Sequence, residues 1–261
     1  MIEIWKDIDN CEGTTEQILD ILIAGKPVSI VRAGDGEKLL LESNKSIQAY
    51  QLCMQSVIKR QLGFEPVMTE VYEMRDHLIE AYSKADVIGI PMQKNLKSLN
   101  KHWQEVEKTV KPFANPSARY CSTDIAYDLL YSGSFEKWLT GKKDIVYIGC
   151  RDLDQQFRDH FKIKNVHSYI IPPEAKFTDG YHGEPHYPYH FHKMEWWLNA
   201  APCDGTPCLV GAGVIGKIYT NWMRDRGGVA IDIGAVMDLW AGRATRGEKR
   251  GLNAVDETYK L

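Results

Sequence analysis

The chain has 261 residues, 44% hydrophobic and 26% charged, with a formal charge of −3 and a pI near 6.3. That balance supplies ample material for a globular core and excludes a general nucleic-acid binder, which would carry a basic face. No run of about 18 apolar residues occurs, and Met1 to Asp7 lacks the basic and apolar regions of a signal peptide, so a cytoplasmic protein with no transmembrane segment is expected. The six cysteines form no CxxC pair and no zinc-ribbon spacing, which fits a reducing compartment.

Along the chain, Thr14 to Ala24 carries apolar residues at helical spacing, with Thr14 or Thr15 placed to cap it. Val28 to Val31 is a continuous apolar run and predicts a buried strand that enters a glycine-bent turn, Arg32 to Glu37. A short helix is expected through Leu39 to Leu41. Helical patterns then run from Ser46 to Leu62 and from Met68 to Lys84. Apolar runs closed by Pro, Gly or Asp predict further strands at Asp86–Pro91, Arg119–Cys121, Asp144–Gly149, Asn165–Ile171, Cys208–Val210 and Val229–Asp232. A helix with Trp103 and Val106 lies among them, and Thr123-Asp124 should begin another.

Strands separated by helices of ten or more residues require crossover connections, hence a parallel sheet. The expected fold is α/β: a single Rossmann-like domain over residues 1–261, with a mainly parallel twisted sheet flanked by helices. Residues 44–84 read as a helical insertion that could cover the site or form a contact in a homo-oligomer.

Three stretches could carry chemistry. The first is Arg32-Ala-Gly34-Asp35-Gly36-Glu37 at the end of the opening strand, where open α/β sheets hold their ligands. Two carboxylates on a glycine-bent loop beside a guanidinium suit Mg2+ or Mn2+ and the phosphates it bridges. The plain alternative is a surface turn. The second is Gly211-Ala-Gly213-Val-Ile-Gly216-Lys217, a G-x-G-x-x-G fingerprint with Asp232 about 20 residues on. Its late position leaves no room for a second mononucleotide half, so it suits one nucleotide's diphosphate or tight helix packing. The third is Tyr181 to His192, which holds His182, His186, His190 and His192 among aromatic residues and prolines. It reads as a loop over the substrate sooner than as a metal site.

Val31-Arg-Ala-Gly-Asp-Gly-Glu37 resembles the Arg-x-Gly-Asp-Gly-Glu signature of GT-D-type glycosyltransferases. The Asp86–Pro91 strand and the Gly211 to Gly234 segment follow in that family's order. The resemblance implies a Rossmann-like domain that binds a nucleoside-diphosphate sugar, typically UDP-linked, with Asp35 and Glu37 as metal ligands. Arg32, Gly34, Gly36, Gly211, Gly213 and Lys217 would bind the nucleotide sugar, and a glycan or glycoconjugate hydroxyl would accept a hexosyl group. Asp232, Asp238 and His190 are the candidates for the catalytic base, with Asp179 and Glu184 as further loop candidates. Rival readings are an NAD(P)-dependent oxidoreductase built on Gly211–Gly216, a non-catalytic nucleotide or carbohydrate module, and a metal-dependent phosphoester hydrolase.

Overall fold

The computed structural model describes residues 11–91, 101–177, 183–243, 245 and 259–261. Seven strands form one sheet: β1 Val28–Arg32, β2 Val87–Ile90, β3 Arg119–Ser122, β4 Asp144–Gly149, β5 Asn165–Ile170, β6 Pro207–Gly211 and β7 Val229–Asp232. Their order is β3-β2-β1-β7-β6-β4-β5, and every pairing is parallel. The predicted "mainly parallel" sheet is wholly parallel, and the strands lie where the apolar runs placed them.

Period-two alternation divides the core. Ile30, Val87, Ile145, Leu209 and Ile231 point to one face, with Phe135, Phe157 and Trp240. Their neighbours Val31, Ile88, Val146, Val210 and Ala230 point to the other, with Leu78, Tyr82 and Tyr219. Because successive side chains of a strand leave on opposite faces, a continuous apolar run is what two helical layers demand. The first face is covered by α1 Cys11–Ile23, α6 Ile125–Tyr131, α7 Ser134–Leu139, α8 Asp154–Phe161 and α11 Val236–Trp240. The second is covered by α2 Asp35–Leu41, α3 Ile47–Cys53, α4 Met68–Lys84, α5 Lys101–Val110, α9 Phe191–Ala200 and α10 Gly216–Asp225.

Two local readings change. Helix α1 begins by Cys11, so Thr14 and Thr15 lie inside it and do not cap it. Residues 44–84 are the crossover between the adjacent parallel strands β1 and β2, with α4 packed on α2 and α10 in the sheet's own helical layer. They thus belong to the crossover and are not an insertion, and Gln61 and Leu62 within them reach the site. The predicted single helix from Ser46 to Leu62 is α-helical only through Cys53; Met54–Leu62 is π-helical. It stops at Gly63, whose φ of 73° is left-handed and whose N–H bonds back five residues to Ile58 O at 2.9 Å.

Sheet order sets the site. From β1 the chain moves outward through β2 and β3, while β6 and β7 return from the opposite side to fill the centre. Connections therefore diverge on either side of the β1–β7 pair, and a crevice opens beyond the carboxyl ends of such strands.

Candidate nucleotide-binding crevice

The crevice encloses about 1180 Å3 of empty space, part of it open to solvent, and is walled by the ends of β1, β4, β6 and β7.

Its floor is a buried ion quartet. Arg32, the last residue of β1, reaches Asp232, the last residue of β7, with Nε to Oδ2 at 3.3 Å and Nη2 to Oδ1 at 3.1 Å. Lys217 Nζ lies 3.0 Å from Asp232 Oδ2 and 2.7 Å from Glu37 Oε1, and also donates to Gly213 O at 2.9 Å. The second Glu37 oxygen accepts the Gly34 N–H at 2.8 Å, which closes the first turn of α2. Asp232 is fully buried, and Lys217 and Glu37 are nearly so.

Burial raises the cost of each charge, but the partners overcome it. Burial by itself would lift the Asp232 carboxyl; Arg32 and then Lys217 hold it below its ordinary range. Burial pulls Arg32 and Lys217 down, and Asp232 foremost holds both above their ordinary values. All three remain charged.

Glycines make the quartet sterically feasible. Gly89 in β2 leaves room for Arg32: a Cβ there would stand 3.1 Å from Arg32 Cγ and 2.9 Å from Ser122 O. At Gly234, where φ is +50°, a Cβ would overlap Arg32 Nη2 itself. Tyr82 Oη donates to Arg32 O at 3.2 Å, and Arg32 Nη1 donates to Thr123 O at 3.3 Å, so backbone and guanidinium are both fixed.

Above this floor the predicted residues separate. Gly34, Asp35, Gly36, Gly211, Gly213 and Lys217 all line the crevice with Arg32 and Glu37. Asp35 is exposed; its Oδ1 accepts the Gly36 N–H at 3.0 Å, and its other oxygen has no protein partner among the described residues. Asp238 lines the crevice as well, with Oδ1 2.8 Å from Arg151 Nε and Oδ2 2.5 Å from Thr245 Oγ1.

His190 does not line the crevice; its Nδ1 faces Tyr169 Oη at 3.2 Å. From the histidine-rich stretch it is His186 that lines it, buried and 2.9 Å from Tyr219 Oη. Burial, with a smaller push from His190, lowers His186 to about 3, so the ring is neutral. The predicted loop keeps an extended residue at Tyr187 (φ −111°, ψ 139°) and turns helical after it, running into α9, and Tyr187 and Phe191 sit in the core. Glu184 is exposed, and Asp179 and His182 fall outside the described residues.

Sequence reasoning missed Arg151, Gln61, Glu174 and Thr123, all of which line the crevice. Arg151 follows a strand as Arg32 does, and that parallel could have found it. The other three carry no local signal.

A crevice at the switch point of a wholly parallel sheet, floored by paired cations and edged by two glycine turns, defines a Rossmann-like α/β protein with its candidate site at the strand ends. The sequence model described as a GT-D fold-like domain matches residues 10–177. The chain belongs to this GT-D-like family. Searches among curated proteins and among solved structures gave no match. Among the described residues, no helix is long and apolar enough to cross a membrane.

Proposed function

We propose that the protein is a glycosyltransferase that takes a hexosyl group from a nucleoside-diphosphate sugar, UDP-linked by preference, and passes it to a hydroxyl on a glycan or glycoconjugate. The observation that carries this reading is the Arg32–Asp232–Lys217–Glu37 quartet beneath two glycine turns, inside a family whose name denotes a glycosyltransferase fold. The diphosphate lies over Arg32 and along the Gly211–Gly213 turn, where fixed donors meet the charge that develops on the leaving group.

Charge balance supports a divalent cation. Asp35, Glu37, Glu174, Asp232 and Asp238 line the crevice against Arg32, Arg151 and Lys217, so carboxylates outnumber fixed cations by two. A bare diphosphate would be repelled. Glu37 is committed to Lys217 and to the Gly34 N–H, whereas Asp35 at the mouth has one oxygen with no partner among the described residues. Among the described residues no three His, Cys, Asp or Glu side chains cluster as a ligand set. That agrees with Mg2+, which is commonly held by one or two carboxylates plus substrate phosphates. Asp35 would hold Mg2+ or Mn2+, with Glu37 behind it fixing the turn. When bound, the cation neutralises charge on the departing diphosphate.

Among the proposed bases, Asp232 is sealed in the quartet and His190 lies off the crevice; Asp238 lines it and would take the acceptor's proton in an inverting reaction once a ligand draws it from Arg151 and Thr245, which hold both of its oxygens. A second groove, lined by Lys59, Phe64, Glu65, Pro173, Ala175 and Pro185, adjoins the crevice through Leu62 and Pro172 and gives the acceptor an approach. The buried free thiols of Cys53, Cys121 and Cys208 support the cytoplasmic setting.

The dinucleotide reading loses its key contact. The acidic residue that would bind a ribose hydroxyl is Asp232, and both its oxygens are consumed inside the protein at zero exposure.

A thermal-shift screen of UDP-, GDP- and CDP-sugars and NAD(P), with and without Mn2+, tests the proposal. A shift for a nucleotide sugar that grows with Mn2+ is expected; a shift for NAD(P) alone would overturn it. Asp35→Asn should then abolish Mn2+-stimulated sugar-nucleotide hydrolysis, and full turnover in that variant would remove the metal role.

A further inference from the structure

Gln61 stands in the crevice with no polar partner among the described residues. Its carboxamide is wedged between the two glycine turns: a Cβ on Gly36 would lie 3.1 Å from Gln61 Nε2, and a Cβ on Gly213 would lie 3.4 Å from Gln61 Oε1. A methyl at Gly36 would press on it, and one at Gly213 would just touch it. Yet among the described residues neither its donor nor its acceptor group has a hydrogen-bond partner. A half-buried carboxamide with two donors and an acceptor left unmatched is set for a ligand.

The backbone that delivers it is unusual as well. Gln61 is the penultimate residue of the π-helical segment Met54–Leu62. Bonding over five residues turns the chain less per residue than an α-helix does, so Gln61 faces a direction that a continuous α-helix from Ile47 would not give it. The left-handed Gly63 ends the helix at once, and a Cβ there would stand 2.9 Å from Ala175 Cβ, which fixes the segment against residues 175–177. Such π segments recur at functional sites.

We propose that Gln61 is a specificity-determining contact to the diphosphate of the bound nucleotide, its Nε2–H donating to a phosphate oxygen between the Gly36 and Gly213 turns. The proposal rests on the nucleotide-sugar reading of the same crevice. It also explains why the two turns carry glycine where they face each other: the space between them belongs to the carboxamide and the phosphates.

The test is calorimetric titration of the full chain with Mn2+ present. The titrants are UDP, GDP and CDP, and, for whichever binds, the matching nucleoside. Gln61→Leu keeps the bulk and removes the donor. Gln61→Glu keeps the shape and substitutes a charge that repels phosphate. We expect Gln61→Leu to weaken the diphosphate about tenfold or more, Gln61→Glu to weaken it further, and neither to alter nucleoside affinity. Unchanged diphosphate affinity in both variants overturns the proposal, and so do equal losses for nucleoside and diphosphate, which would mark a structural role. If the wild-type chain binds no nucleoside diphosphate, the nucleotide-sugar reading itself falls and takes this contact with it.

Discussion

The two glycine turns that face each other across the crevice use their charged residues in opposite directions. The turn after β1 leaves Asp35 exposed at the mouth and tucks Glu37 back onto its own Gly34 N–H. The turn after β6 sends Lys217 inward, where it joins Glu37 to Asp232 with almost no exposure. The first lies inside the segment that matches the family; the second lies beyond it. One turn leaves a carboxylate at the mouth, while the other supplies the buried cation that pairs with the first turn's glutamate. A glycine fingerprint therefore does not announce which side of its loop does the chemistry. At 211–216 Gly211 and Gly216 allow close packing while Gly213 makes the left-handed turn, and the residue after them completes a cluster begun 180 positions earlier.

The sharpest way to break this contrast is Lys217→Met, which strands Glu37 and leaves Asp232 with Arg32 alone. Removing one partner of a buried ion pair costs about 3–5 kcal/mol, and urea denaturation should show a loss of that size. Asp35→Asn, the equivalent change at the outward turn, should stay within about 0.5 kcal/mol of wild type. Equal effects from the two would erase the distinction.

The inward side extends to His186 through Tyr219, which lies on the same helix as Lys217. His186 is held near 3, below its ordinary 6.5. Between those values the unfolded chain takes up a proton that the folded chain refuses, so stability falls as pH drops through this window. The slope from this one group is at most about 1.4 kcal/mol per pH unit. Stability measured from pH 7 to pH 4 should fall less steeply in His186→Phe, whatever its absolute value; an unchanged slope would contradict the burial of a neutral ring.

A smaller effect compares the glycines. Gly213 has φ of +57°, so Gly213→Ala should cost roughly 1–2 kcal/mol. Gly36 sits in α2 without a positive φ, and only the flexible tip of Gln61 opposes a methyl there. Gly36→Ala should therefore be close to neutral by thermal melting.

Much of the fold was legible because parallel strands are buried on both faces. Ile145 to Ile148 and Val229 to Ile231 read as strands with no partner in view, since nothing but a two-sided core asks for such runs. Residues 44–84 were misread because adjacency in the sheet is not local: only the β1–β2 pairing shows that α4 is a crossover helix. The π turn at Met54–Leu62 keeps the apolar spacing of a helix, so periodicity could not separate it from α3. In the site, Arg32 and Asp35 were legible from the strand-turn pattern, and Lys217 from the fingerprint. The role of Glu37 as the partner of Lys217 was not, because it depends on two turns 180 residues apart meeting in space. Nothing in the sequence separated His190 from His186, since the fold around the prolines decides which ring turns inward.

The union of Arg32 with Asp232 spans 200 positions in the chain. During synthesis at about 5–20 residues per second, roughly 10–40 s separate their appearance. Throughout that interval β1 can pair with β2 but not with β7, so one edge of β1 stays open and the Arg32 guanidinium lacks Asp232. The crevice is therefore among the last parts of the molecule to come into being. Its birth coincides with closure of the sheet's middle, so a nascent chain halted before β7 carries every residue of the family signature and no binding site.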